Sequence, residues 1–414
     1  MTADGPHRPS ALRRALAQPA FRRLWAAQTI SRWGDTFNSV ALVILVFQLT
    51  GSGLQVAVTV AFEVAPVILF GFIAGAVVDR YDRRRVMIVA DVGRAVLALG
   101  LALFHDHLGV VYAAAFGLSM LSVLFNPAAA SVLPTVVDDD DIVGANSAIW
   151  SAAVIFQIAL APAAGALVAL AGPAPAFVIN ASTFALSAAL IAGLPLGRRP
   201  AATAGRHLTD VADGLRAIRA SRFLRVLAGV QGLAALSAGA TSALLVVLAQ
   251  DHLDLGADRF GLLIAAIGVG AGLEPLVLQR FVTDIRRPVW LFGPHLLRGV
   301  VDIVLAASRS FGVALGALAV YGIGTSTGNV AYTSVLQTTV PDRLRGRVFA
   351  FFDVTWQTGR LLSIGLGGLA ADRFGIAAVY GAGGALLLGA GTFGLLMPGM
   401  DHSPSPSRMS DMDH

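Results

Sequence analysis

Long apolar stretches separated by short polar segments dominate the sequence. Crossing about 30 Å of hydrocarbon takes ~20 mostly apolar residues, and twelve stretches approach or exceed that length. They cover 24–49, 53–78, 86–104, 109–133, 142–170, 175–194, 223–248, 260–281, 289–307, 311–336, 344–370 and 376–397. A segment in lipid must satisfy its own backbone hydrogen bonds, so each stretch predicts a helix. The pattern predicts an all-α integral membrane protein with twelve transmembrane helices.

The longest polar interruption divides these stretches into two sets of six. We predict a cytoplasmic tail over 1–21, which has no apolar core and does not resemble a cleaved signal peptide. The following segments are a six-helix bundle over 22–196, a cytoplasmic linker over 197–222, a second six-helix bundle over 223–397 and a cytoplasmic tail over 398–414.

The two sets of stretches also repeat each other in sequence. The run that begins at Ala41 matches the run at Ala243 with an offset of 202 residues, and the run at Asn126 matches the run at Asn329 with an offset of 203. Such a constant offset predicts two parallel, pseudo-symmetric repeats, as in many secondary transporters.

Composition and charge agree with a membrane protein. Hydrophobic residues make up 56% of the chain, charged residues 13%, and the mean hydropathy is +0.73, whereas soluble proteins carry about 25% charged residues. All 30 basic residues are Arg, and 23 of them lie in the predicted cytoplasmic segments against three in the external loops. This positive-inside bias predicts that both termini are cytoplasmic. It also accounts for the high pI without a nucleic-acid partner.

Two missing residue types exclude several chemistries. Without Cys the chain can form neither a disulfide nor a thiolate metal site, and without Lys it has no Walker P-loop and no Schiff base. The sequence also shows no grouping of nucleophile, base and acid. We therefore expect no enzyme activity, no cofactor, no metal site and no nucleotide partner.

The connection between the second and third stretches carries the most specific motif. It reads Gly75-x3-Asp79-Arg80-x-Asp82-Arg83-Arg84-Arg85. This motif resembles the signature loop of the major facilitator superfamily, which has Gly at the position of Asp82. The resemblance implies a conformational latch made by Gly75, Asp79, Arg80, Arg83 and Arg84, in which the Asp79 carboxylate faces a helix N-terminus. The alternative is a basic cluster that anchors the membrane edge.

Further motifs extend that resemblance over nearly the whole chain. They are Ser31-Arg-Trp-Gly-Asp35, Thr50-Gly-Ser52, Phe125-Asn-Pro, Ala145-Asn-Ser and Asp213-Gly-Leu. They resemble the drug:proton antiporter branch, which contains macrolide-efflux proteins and the enterobactin exporter. The resemblance implies two six-helix bundles around a central cavity. On the fifth stretch the antiporter motif keeps Pro162 and Gly165 but lacks three of its glycines, and the two kept residues predict a helix kink.

Three of the acids inside the predicted spans are candidate proton-coupling residues. An ionisable residue there usually lines a cavity or has a partner. Asp35 lies near mid-depth in the first stretch, and we predict that it binds the coupling proton, with a structural pair to Arg32 as the alternative. Glu63 and Glu274, the only Glu residues, each precede a Pro in equivalent stretches. Both are candidate proton-coupling residues, since low-polarity surroundings favour a protonated carboxyl, or else they pack against a neighbouring dipole.

Polar and aromatic side chains on the predicted cavity helices form a candidate substrate site. They are Gln28, Asn38, Asn126, Gln157, Gln231, Asn329, Trp356, Gln357 and Arg360. Interhelical hydrogen bonding is the alternative for the amides. Two further pairs, Asp91 with Arg94 and Arg298 with Asp302, have spacings that allow contact on one helical face, and we predict that both pairs are mainly structural.

These features predict a transporter of the bacterial plasma membrane. We expect proton-coupled efflux of small amphiphilic or lipophilic compounds, of the multidrug type, by alternating access. The alternatives are a dedicated exporter of a siderophore or another metabolite, and a non-transporting membrane sensor or assembly partner. The predicted partners are a small-molecule substrate, protons and the lipid bilayer, and we expect a monomer.

Overall fold

The computed structural model describes residues 11–138, 141–195, 218–219, 221–282, 284–285, 287–340 and 342–396. That part of the chain is almost entirely helical and has no strand. The helices of the first half are α1 Ala11–Ala17, α2 Pro19–Thr50, α3 Gly53–Arg80, α4 Arg83–Phe104, α5 Leu108–Val136, α6 Ile142–Ala171 and α7 Ala174–Ala192. Those of the second half are α8 Arg222–Ala243, α9 Ala257–Phe281, α10 Pro288–Ala307, α11 Phe311–Thr339, α12 Asp342–Phe374 and α13 Ile376–Leu396.

Each of the twelve predicted stretches coincides with one of the helices α2–α13. Eleven of these helices are long and apolar enough to cross a membrane within the described residues. The other is α12, a continuous helix of 33 residues whose apolar run is interrupted by charges such as Asp353 and Arg360. The prediction of an all-α membrane fold is confirmed.

Two details depart from the predicted pattern. The stretch 223–248 is not one regular helix, because α8 ends at Ala243 and the chain continues through Leu245–Val247 into a π-helical turn at Leu248–His252. The segment before the first stretch is also more ordered than a tail, since α1 is helical and Arg14 forms a 2.7 Å ion pair with Asp141. Most of the predicted linker and the whole C-terminal tail lie outside the described residues.

Backbone contacts divide the chain into two compact units. Unit 1 comprises 1–205 together with 254–268, and unit 2 comprises 206–253 together with 269–414. In unit 1, α2 packs against α6 and α7, and α4 packs against α5 and α7. In unit 2 the same scheme recurs, with α8 against α12 and α13 and α10 against α11 and α13. The repeated packing agrees with the repeat in the sequence.

Glycine allows the closest of these helix approaches. In unit 2, α10 and α13 touch backbone to backbone, because a Cβ added to Gly299 would lie 2.8 Å from the Gly384 carbonyl oxygen. Helices in lipid associate through such close packing of small residues. The glycine-rich stretch around Gly384 is therefore a packing surface.

Candidate functional site

Unit 1 contains a cavity of about 200 Å³ between α2, α4 and α5. It is lined by Gln28, Ser31, Arg32, Asp35, Arg94, Ser122, Phe125 and Asn126. Three of the predicted site residues, Gln28, Asp35 and Asn126, therefore lie together. Asp35 is exposed and forms neither a hydrogen bond nor an ion pair with any residue that the structure describes. Both Arg94 and Arg32 act on it electrostatically.

Arg94 lines this cavity and has several partners within unit 1. It is 2% exposed, and its guanidinium donates to the carboxylate of Asp91, which is fully buried. The rings of Phe125 and Phe184 each lie 4.4 Å from its Cζ atom, so it also makes two cation–π contacts. The predicted Asp91–Arg94 contact is thus present, and it places a neutralised pair next to Asp35.

Unit 2 contains a cavity of about 220 Å³ between α8, α10, α11 and α12. It is lined by Leu227, Gln231, Leu291, Pro294, His295, Arg298, Gly324, Thr325, Gly328, Asn329, Tyr332, Phe349, Phe352, Asp353 and Trp356. Three more predicted residues, Gln231, Asn329 and Trp356, therefore lie together. Gln231 also hydrogen-bonds the Tyr332 hydroxyl, so amide and aromatic groups share one wall.

The second predicted pair, Arg298 with Asp302, is not in contact. Arg298 donates instead to the hydroxyl of Tyr321 at 2.9 Å and lies over its ring. Asp302 is 1% exposed, and neither of its oxygens has a hydrogen-bond partner among the described residues. The spacing of four residues allowed contact, but a hydroxyl on a neighbouring helix draws the guanidinium away.

The remaining candidates lie outside the two cavities. Asn38 is buried within α2, Gln157 is exposed on α6, and Gln357 and Arg360 are half-buried on α12. Glu63 is half-buried on α3, where its backbone carbonyl accepts a hydrogen bond from Ser119.

Glu274 differs from Glu63 in its surroundings. It is only 7% exposed, and its Oε1 atom has no partner among the described residues. The glutamates of these two corresponding helices therefore differ in environment.

The basic loop after α3 is held within unit 1. Arg83 donates to the Ser131 carbonyl at 3.1 Å, and Arg84 donates to the Ala192 carbonyl, so both arginines bind the ends of neighbouring helices. Asp82, which replaces a glycine of the superfamily motif, accepts a 3.0 Å hydrogen bond from the Arg85 amide and caps the start of α4.

The other latch residues occupy the last turns of α3. Gly75 and Asp79 lie on that helix, and Arg80 ends it with an exposed side chain. The predicted latch as a whole stays a prediction.

The predicted kink residues of α6 lie at a close helix contact inside unit 1. A Cβ added to Gly261, at the start of α9, would lie 2.9 Å from the Cα atom of Pro162. Gly165 is packed equally closely, against the carbonyl oxygen of Ala257. Both residues therefore allow the chain of α9 to approach α6.

The repeat relates the residues of the two cavities, including several that the sequence analysis did not assign to a cavity. The predicted amides Gln28 and Gln231 are 203 residues apart, as are Asn126 and Asn329, so each cavity carries the same two amides. Arg94 and Arg298 are related by an offset of 204, and Ser122 and Thr325 by 203. Aligning the halves position by position would have singled out both arginines and both hydroxyls.

The fold and these paired cavities are those of a transporter, and comparison with known proteins agrees. The family described as transmembrane secretion effector matches residues 11–410. The chain therefore belongs to this family of the major facilitator superfamily, as the motifs predicted.

Several relatives share most of its length. It is 28% identical over 381 residues to the multidrug efflux pump Tap of Mycobacterium tuberculosis, covering 87% of this chain and 89% of Tap. It is 25% identical over 381 residues to the enterobactin exporter EntS of Escherichia coli O1:K1, covering 89% and 90%. Among solved structures, the nucleoside transporter NupG is similar, with a TM-score of 0.76, 12% identity and coverage of 91% and 98%. That likeness concerns the fold alone.

Proposed function

We propose that this transporter exports small amphiphilic compounds in exchange for protons, from the cytoplasm of a bacterium whose plasma membrane holds it. The family and the efflux relatives support export. The observation that supports proton coupling is the position of Asp35, an acid in the unit 1 cavity with no partner among the described side chains.

Charge balance explains why Asp35 suits this role. Arg94 is paired with Asp91, so Arg32 and Asp35 decide the net charge of the cavity, which is zero when Asp35 is ionised and +1 when it is protonated. An ionised Asp35 would bind a cationic or polar compound, and a protonated one would release it. Competition of this kind couples export of the compound to entry of the proton, because the compound and the proton must each favour a different state of the protein.

The uneven distribution of arginine between the two sides of the membrane supports the proposed orientation of the chain. The positive-inside bias, with 23 of the 30 Arg residues in the segments assigned to the cytoplasm, supports the proposal that both termini lie inside. A reporter fused to either terminus, active only in the cytoplasm, tests this placement.

The function is tested by retention of a cationic dye and a macrolide in an efflux-deficient bacterium. The wild-type protein should lower retention, and a protonophore should abolish the effect. Asp35→Asn should behave as the empty vector, while the matched change Asp106→Asn, at an exposed acid outside the cavities, should behave as the wild type. Full protonophore-sensitive efflux by Asp35→Asn would refute the proton assignment.

A dedicated metabolite exporter is the second candidate. The unit 2 cavity favours it, because a small site lined by an arginine and several aromatic rings selects one chemical group more sharply than a broad apolar cleft does. A non-transporting sensor would show no change in retention for any compound despite confirmed expression.

A further inference from the structure

Two groups that cover Arg94 have no counterpart at Arg298. Asp91, which pairs with Arg94, corresponds to His295 at the offset of 204. Phe125, whose ring covers Arg94, corresponds to Gly328 at the offset of 203. The ion-pair partner and one covering ring are therefore both missing in unit 2, where Arg298 lines a cavity as Arg94 does in unit 1.

Unpaired polar atoms converge on that cavity. Arg298 is 7% exposed, and its Nε atom has no hydrogen-bond partner among the described residues. Thr325 Oγ1 is buried and unpartnered as well. Both residues line the same cavity, beside His295. Buried polar groups are normally hydrogen-bonded, so this arrangement indicates a ligand.

The charges around Arg298 leave it available. Its neutral partner Tyr321 does not cancel its charge. Asp302 lies one turn along α10 and acts on Arg298 electrostatically but forms no ion pair with it, and Asp353 lies at the exposed edge of the cavity. A guanidinium stays charged at every physiological pH and binds planar oxyanions through paired hydrogen bonds.

The size and walls of the cavity define the rest of the ligand. A cavity of about 150 Å³ is known to hold benzene, so the 220 Å³ measured here accommodates one substituted ring. Its walls include Tyr332, Phe349, Phe352 and Trp356, which favour stacking on an aromatic group.

We propose that the unit 2 cavity binds an aromatic oxyanion, such as an aryl carboxylate or an ionised phenol, with Arg298 as its anchor. The inference rests on the proposed export function in one respect, since the bound group is taken to belong to the exported compound. Binding itself can be measured without transport.

The experiment uses the purified full-length chain and two probes of equal shape, para-nitrobenzoate and para-nitrobenzamide. Both quench the fluorescence of Trp356 on contact, and Trp356→Phe identifies that signal. The wild type should bind the anion about tenfold or more tightly than the amide, as a charge-assisted hydrogen bond predicts. Arg298→Gln should remove this preference and leave amide binding within about twofold.

A second variant keeps the test decisive if Arg298→Gln fails to fold. Thr325→Val removes a hydroxyl that has no partner, so the fold should survive, and anion affinity should fall about threefold. Thr338→Val, on the same helix outside the cavity, is the matched control and should change nothing.

Equal affinity of the wild type for both probes would overturn the proposal. So would unchanged selectivity in folded Arg298→Gln or, if that variant does not fold, in Thr325→Val. Anion-selective binding without export in cells would refute the proposed function but keep the site. Protonophore-sensitive export together with equal affinity for both probes would refute the anion site but keep the proposed function.

Discussion

The two halves of this transporter place an arginine at the same position and surround it differently. In unit 1, Arg94 pairs with Asp91 and lies under the rings of Phe125 and Phe184. In unit 2, Arg298 donates to the Tyr321 hydroxyl and lies over its ring. Both arginines line a cavity, but among the described residues only the first has an ion-pair partner.

The position of Asp35 shows the opposite difference. Asp35 in unit 1 corresponds to Ala238 in unit 2, and Arg32 corresponds to Ala235, both at the offset of 203. The proposed proton site therefore exists in one half and the proposed anion site in the other. Duplication of one bundle followed by divergence at a few cavity positions is sufficient to separate the two roles.

The largest expected effect comes from breaking the ion pair of unit 1. Asp91→Asn leaves the guanidinium of Arg94 buried without its anion, and losing one partner of a buried pair costs about 3–5 kcal/mol. Asp302→Asn in unit 2 removes no direct ion pair, so we expect a loss below about 1 kcal/mol.

Free energies of unfolding, from circular dichroism during denaturant titration in detergent, test this contrast. Similar losses in the two variants would show that Arg298 and Asp302 pair as closely as Arg94 and Asp91 do.

The sequence was sufficient to predict the fold because a segment that crosses a membrane can adopt few structures. Each apolar stretch had to become a helix, and the predicted 109–133 and 376–397 agree with Leu108–Val136 and Ile376–Leu396 within a few residues. The positions of the amides in the cavities also followed from the choice of helices, since Gln28 and Asn126 do lie together.

Side-chain pairing could not be predicted in the same way. Hydropathy does not fix the rotation of a helix about its axis, which packing against neighbours decides. The partner of Arg298 comes from α11 rather than from its own helix, and the rings that cover Arg94 come from α5 and α7. Such contacts depend on the packed tertiary structure.

A smaller effect is expected where the halves differ in helix spacing. Gly34 in unit 1 corresponds to Ser237 in unit 2 at the offset of 203. A Cβ at Gly34 would lie 2.9 Å from the Cα atom of Asn180, so Gly34→Ala should destabilise the protein by about 1–3 kcal/mol through overpacking.

The matched change in the other half is Ser237→Ala. The Ser237 hydroxyl is buried without a partner among the described residues, so its removal should leave stability unchanged or raise it by up to about 1 kcal/mol. The same unfolding titration measures both variants. A neutral Gly34→Ala would mean that α2 and α7 can move apart freely.

The smallest effect on stability is expected at the residue with the largest expected effect on transport. Asp35 is exposed and unpaired among the described residues, so Asp35→Asn should change the free energy of unfolding by no more than about 0.5 kcal/mol. If Asp35 instead formed a structural pair with Arg32, its loss would lower stability, and Arg32→Gln would do the same. Measuring the unfolding free energies of both variants beside that of Asp91→Asn therefore separates a carboxyl that binds a ligand from one that holds helices together. A stability loss in Asp35→Asn comparable to the loss in Asp91→Asn would remove the main support for the proton assignment.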